Sequence, residues 1–183
     1  TGSELWSTGL AGTGRGVVAD GGNLYVGTSA GVSKVSGLSE SVSWEYEDAT
    51  LVDTTIALAG DSVYAADSST GKVVNLSVSQ GSENWTNIVG EGATGSPTVA
   101  GTEVVVPFEG SVAAFRTDSG REVWSTEIPA GSSLVSADGD LYGTTTGGDV
   151  FALDGANGAV LWRTGAVGGS NPPVLVGNLL YVA

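Results

Sequence analysis

The chain contains five tryptophans, at positions 6, 44, 85, 124 and 162, and the intervals between them are 38, 41, 39 and 38 residues. A beat of about 40 residues marks a repeat in which one supersecondary unit recurs. What lies between the beats is strand-like. Short apolar runs alternate with turns rich in Gly, Asn and Asp, and no stretch of ten or more residues shows the spacing of an amphipathic helix. The 30 glycines suit a chain that turns this often.

Aligning the repeats exposes their internal order. An apolar pair recurs as Leu24-Tyr25, Val63-Tyr64, Val104-Val105, Leu141-Tyr142 and Leu180-Tyr181. A tight turn precedes each pair, for example Asp20 to Asn23 and Asp138 to Asp140, built from residues that accept positive φ. A short strand precedes each turn, and a third strand follows each complete pair: Val32 to Val35, Val73 to Leu76, Val112 to Phe115 and Val150 to Leu153. The tryptophan strand closes the unit. Each repeat is therefore four antiparallel strands, A to D, which predicts an all-β propeller. Complete blades are expected over about 12–46, 54–87, 95–126 and 132–164, with partial blades at 1–8 (a D strand) and 171–183 (strands A and B). The expected assembly is an arc of a larger ring of about 7–8 blades. Open blade edges at its ends invite association with other chains.

Composition narrows the chemistry. There is no cysteine and no histidine, which removes disulfides, thiolate nucleophiles and the commonest general base and metal ligand. No apolar run approaches the roughly 20 residues of a membrane-spanning helix. Residue 1 is Thr and no basic signal segment opens the chain, so the expectation is a processed chain or a piece of a longer one. Twenty acidic residues against six basic ones leave a net charge of −14, spread over every repeat. That balance predicts adaptation to high salt and argues against a nucleic-acid partner, which needs clustered Lys and Arg.

Residues Ala152-Leu153-Asp154-Gly155-Ala156-Asn157-Gly158-Ala159-Val160-Leu161-Trp162 resemble the 11-residue tryptophan-docking motif of the PQQ-like β-propeller repeat, Ala-x-Asp-x-x-Thr-Gly-x-x-x-Trp. The copy at 114–124 keeps Ala114, Gly120 and Trp124; that at 75–85 keeps Gly81 and Trp85; that at 34–44 keeps only Trp44; residues 1–6 match the tail of a fifth. The resemblance implies that Trp6, Trp44, Trp85, Trp124 and Trp162 stack on the turns of neighbouring blades as structural docking residues. It also implies two functional classes. Relatives of the BamB type are non-catalytic scaffolds, and quinoproteins are dehydrogenases that hold PQQ and Ca²⁺ through Glu, Asn and Asp. A sensor or repeat module within a larger surface protein is a third expectation. With composition, the resemblance predicts an exported haloarchaeal protein.

No catalytic residue and no metal site is expected. The Glu–Asn–Asp set cannot be carried over by motif, and Asp61, Asp67, Asp138 and Asp140 read as turn residues. The expected function is a scaffold binding a protein or small ligand, with no cofactor; PQQ and Ca²⁺ enter only under the dehydrogenase alternative. The D–A and B–C loops should surround one mouth of the central channel, where propeller loops carry function. Candidate partner-facing residues there are Arg15, Thr54, Ser96, Phe108, Glu109, Ser132 and Asn171. Phe108 is expected to be an exposed apolar contact. Asn75 and Asn84 fit the Asn-x-Ser/Thr pattern and are expected on strands.

Overall fold

The computed structural model describes residues 2–51, 55–165, 169–177 and 179–183. Among these there is no helix. Four sheets of four antiparallel strands follow one another, each ordered A-B-C-D in space as in sequence. The first blade holds β1 (Gly14–Asp20), β2 (Asn23–Thr28), β3 (Gly31–Ser36) and β4 (Ser41–Glu47). The second holds β5 (Thr55–Ala59), β6 (Ser62–Ala66), β7 (Lys72–Ser77) and β8 (Glu83–Ile88). The third holds β9 (Thr98–Ala100), β10 (Glu103–Pro107), β11 (Val112–Arg116) and β12 (Glu122–Thr126). The fourth holds β13 (Val135–Ala137), β14 (Asp140–Thr144), β15 (Val150–Asp154) and β16 (Val160–Thr164). A two-stranded sheet of β17 (Val174–Val176) and β18 (Leu179–Tyr181) follows.

The A strands β1, β5, β9 and β13 are neighbours in turn, so they line the inner side and the D strands form the outer rim. This is the propeller arrangement expected from the repeat. The B and C strands are the buried middle of each blade. Residues Val104, Val105 and Val106 are all fully buried because a blade is covered on both faces, which removes the usual alternation of apolar and polar positions.

The core lies between blades. One cluster joins the first and second blades through Tyr25, Val32, Leu51, Ile56, Val63, Val74 and Leu76. A second joins Tyr64, Val73 and Trp85 to Val104, Val106 and Phe115. A third joins Val105, Ala114 and Trp124 to Leu141, Phe151 and Leu153. The second and third blades thus contribute one sheet face to the cluster before them and the other to the cluster after.

The expected D strand at 1–8 is not present: residues 2–10 form no strand, and Leu5 is 90% exposed. A D strand exists by pairing with a C strand, and, among the described residues, 2–10 pair with none. At the other end β17 and β18 pair as the expected strands A and B, with Val174, Val176, Leu179 and Tyr181 exposed.

Candidate binding face

One end of the blades is built from the A–B and C–D turns, and there the repeat acts most regularly. The fourth motif residue of each blade donates its backbone N–H to that blade's own A–B turn: Gly37 to Gly22, Val78 to Asp61, Thr117 to Thr102 and Gly155 to Gly139. The carbonyl of the same fourth residue accepts an indole N–H from the preceding blade. Trp44 donates to Val78 at 3.0 Å, Trp85 to Thr117 at 2.9 Å and Trp124 to Gly155 at 3.0 Å. The indole lies flat on the seventh residue, which is glycine at all three seams. A Cβ on Gly81 would stand 2.6 Å from Trp44 ring carbons, and one on Gly120 would stand 2.5 Å from Trp85. Gly158 meets Trp124 in the same way.

Departures from the alanine at the first motif position have a use. Lys34 and Asn75 stand directly across from Trp44 and Trp85 in the C–D pairing. The Lys34 ammonium donates to Val78 and the Asn75 amide to Thr117, each at 3.1 Å. Each therefore reaches the carbonyl its own tryptophan already uses, and fills the second lone pair. Asn75 is buried, and Asn84, on exposed β8, donates to its Oδ1. Among the described residues Trp162 meets no such seat, and it is 42% exposed, against 8% for Trp85 and Trp124.

The opposite end carries the D–A and B–C loops, which interlock. Ala93 bridges to Phe108, and Ala130 to Thr145. Gly90 and Ala93 donate to Thr70 and Asp67, and Glu109 donates its backbone N–H to Gly92. The Glu91 carboxylate accepts from the Gly110 N–H and the Ser111 hydroxyl, both at 3.3 Å. The loops of this mouth are held by each other, as a rigid rim.

The candidate residues fall into three groups on this rim. Arg15 on β1, Glu109 and Asn171 are exposed. Ser96 acts between blades, its N–H donating to the Ser133 hydroxyl at 2.8 Å, whereas Ser132 is buried within the fourth blade and shares a 2.9 Å bond with Thr144. Thr144 in turn donates to the Asn171 carbonyl at 2.9 Å, so Ser132 and Asn171 are brought together through it. Phe108 is corrected outright. It is fully buried, packed with Tyr64, Val73 and Trp85 of the second blade, because the corner after β10 turns its ring into the seam. Thr54 lies outside the described residues.

Of the acidic turn residues, Asp67 is fully buried, and its Oδ2 accepts from the backbone N–H and hydroxyl of both Ser69 and Thr70. It closes the B–C turn of the second blade. Asp154 likewise accepts from the Ala156 N–H within its own turn. Among the described residues no three Asp or Glu side chains gather as a metal site.

One polar cluster was missed by sequence reasoning. Asp48, in the loop after β4, accepts from Lys72 and from the Thr50 N–H and hydroxyl. Tyr46 donates to Glu83 of the second blade at 2.6 Å. Burial works against the Asp48 carboxylate, but the Lys72 and Thr50 hydrogen bonds outweigh it and hold its pKa down to about 2. Burial, and then the Glu83 carboxylate, push the Tyr46 hydroxyl well above its ordinary value, so it stays a donor. The only sequence signal was an Asp-Ala-Thr loop, which is common in turns.

Known proteins share this architecture. The crystal structure of BamB from Moraxella catarrhalis superposes with a TM-score of 0.82 at 17% identity, covering 97% of this chain and 60% of that one. A quinohemoprotein alcohol dehydrogenase from Comamonas testosteroni superposes with a TM-score of 0.74 at 15% identity, over 92% of this chain and 39% of that one. At such identities these likenesses show the fold. In sequence, the outer membrane protein assembly factor BamB of Burkholderia pseudomallei is 29% identical over 120 residues, 59% of this chain and 32% of that protein. BamB of Yersinia pestis is 26% identical, over the whole of this chain and 54% of that protein. The chain therefore spans between a third and about half the length of these relatives. With PQQ-like repeats in every blade, and a family profile that matches residues 1–132 and 108–183, the chain belongs to the family described as outer membrane protein assembly factor BamB.

Proposed function

We propose that this chain is part of a non-catalytic, extracytoplasmic scaffold that binds a protein partner on the mouth formed by the D–A and B–C loops. The observation that carries this reading is how the polar groups of that mouth are used. Ser96 and Thr144 bond to the next loop along, Ser132 bonds to Thr144, and Asp67 closes its own turn. Exposed on the same mouth are Arg15 of β1, Glu47 at the end of β4, and Glu91, Glu109 and Asn171 of the loops. A fixed, mostly acidic rim suits recognition of a basic protein surface. The family description, an assembly factor, supports a role in holding other proteins. The acidic balance supports a salt-rich, haloarchaeal setting. The dehydrogenase reading would need a Glu–Asn–Asp set, which the motif does not carry onto this chain, and the Asp67 carboxylate serves Ser69 and Thr70 of its own turn.

Photo-crosslinking side chains at Glu109 and Asn171, compared with ones at Glu40 and Asp138 on the opposite end, test this in intact cells. Discrete protein adducts from the first pair alone are expected. Adducts only from the second pair would move the binding face. Dye reduction that depends on added PQQ and Ca²⁺ would replace the scaffold with an enzyme.

A further inference from the structure

The seam ahead of the first blade differs from the three that follow. We infer that it is built unlocked: Glu40 fills the seat that glycine leaves for an indole elsewhere, so the tryptophan one period upstream, Trp6, stays undocked.

Glu40 stands seventh in the first motif copy, where Gly81, Gly120 and Gly158 stand in the others. Its φ is +53°, close to the +69°, +67° and +73° of those glycines. The turn is therefore the same turn, held in a left-handed conformation that residues with a Cβ avoid. Its remaining apparatus is intact as well. Gly37 donates to Gly22 just as the fourth residues of the later blades donate to their own A–B turns. What has changed is the space above position seven. At the other seams the place of a Cβ is already taken by indole carbons. A glutamate there cannot coexist with an indole at that depth, and it adds a charge to an otherwise apolar seat.

The segment upstream behaves accordingly. Unlike Trp44, Trp85 and Trp124, Trp6 donates its indole N–H to no carbonyl among the described residues; residues 2–10 form no strand, and Leu5 is 90% exposed. On the turn itself Leu38 is 94% exposed. The segment is tethered next to the first blade, since Thr13 and Ser29 exchange hydrogen bonds at 3.0 Å. It is a strap fixed at one end and kept from closing at the other. A seam of this kind is a place where blades can part while the three that follow remain locked.

The test replaces the tryptophans of the intact chain with 5-fluorotryptophan. The Trp6 ¹⁹F signal is assigned through W6F, and the solvent isotope shift between H₂O and D₂O reports exposure. In the unaltered chain, Trp6 is expected to show a clearly larger shift than Trp85 and Trp124. In E40G its shift should fall toward theirs, and protease cleavage within residues 2–10 should slow about tenfold. E40A, which removes the charge but keeps the Cβ, should leave the Trp6 shift as it is in the unaltered chain. E40G relieves a strained position, so the variant is expected to fold, and far-ultraviolet circular dichroism checks it. A Trp6 as shielded as Trp85 in the unaltered chain would overturn the inference. So would an E40G spectrum without change, or an E40A spectrum that matches E40G.

Discussion

A tryptophan in this chain is worth what its seat makes of it. Trp124 and Trp162 occupy the same motif position, yet Trp124 lies on Gly158 with its N–H satisfied, and Trp162 is 42% exposed. Trp124→Ala empties a packed seam and should cost about 3–5 kcal/mol in urea melts. Trp162→Ala should cost less, about 1–2 kcal/mol, since nearly half of its surface stays in water in the folded chain. Equal losses would show that the seats carry no special energy. The glycine side of the seat makes the complementary prediction. Gly120→Ala places a methyl group against the Trp85 ring at a backbone φ of +67°, so overpacking and backbone strain add. Together they should cost about 2–4 kcal/mol, although the change is a single carbon. Asn75→Ala restores the family's preferred residue and is nonetheless expected to destabilise by about 1 kcal/mol, because it removes the amide from the Thr117 carbonyl and leaves Asn84 without its acceptor.

At the scale of strands and loops, the first two blades are joined by charge as well as by apolar packing. The Asp48–Lys72 pair and the Tyr46–Glu83 bond tie the end of β4 to the edges of β7 and β8. The Asp48 pKa is lowered in the folded protein, so its ion pair contributes stability above the ordinary aspartate range and loses it as acid protonates the folded carboxylate. The contribution should be complete above about pH 4 and fade as pH falls toward 2. Asp48→Asn should accordingly be less stable than the unaltered chain at pH 6, and the gap between them should close near pH 2 in parallel urea titrations. A gap independent of pH would mean that the carboxylate's charge is not what matters. The strands themselves are legible in the sequence, because turn chemistry and the apolar pairs recur with each repeat. What escaped was burial set by another blade. Pro107-Phe108-Glu109 reads locally as a protruding corner, but Tyr64 and Val73, more than thirty residues upstream, cover the ring. Ser132 was legible as a mouth residue and not as a buried one, since its partner Thr144 arrives from a different strand. Trp6 fits the period, but period alone says nothing about the glutamate filling the turn it would need.

For the whole molecule, cores that lie between successive blades make stability a sum over neighbouring seams rather than the property of one centre. Long-range repulsion acts on all those seams together. A net charge of −14 on 183 residues pushes the blades apart most strongly when salt is low, where the Debye length is about 10 Å at 0.1 M against about 3 Å at 1 M. The melting temperature should therefore climb by several degrees between 0.1 and 2 M KCl. Salt also strengthens apolar burial, so a second chain separates the two effects. Changing the exposed Glu4, Asp20, Glu47 and Glu122 to their amides removes four charges, taking the net from −14 to −10. That variant should melt higher than the parent at 0.1 M KCl and gain less from added salt, and the two curves should converge at 2 M. Parallel curves would assign the salt response to apolar burial, and the acidic surface would then have to be explained by what it binds.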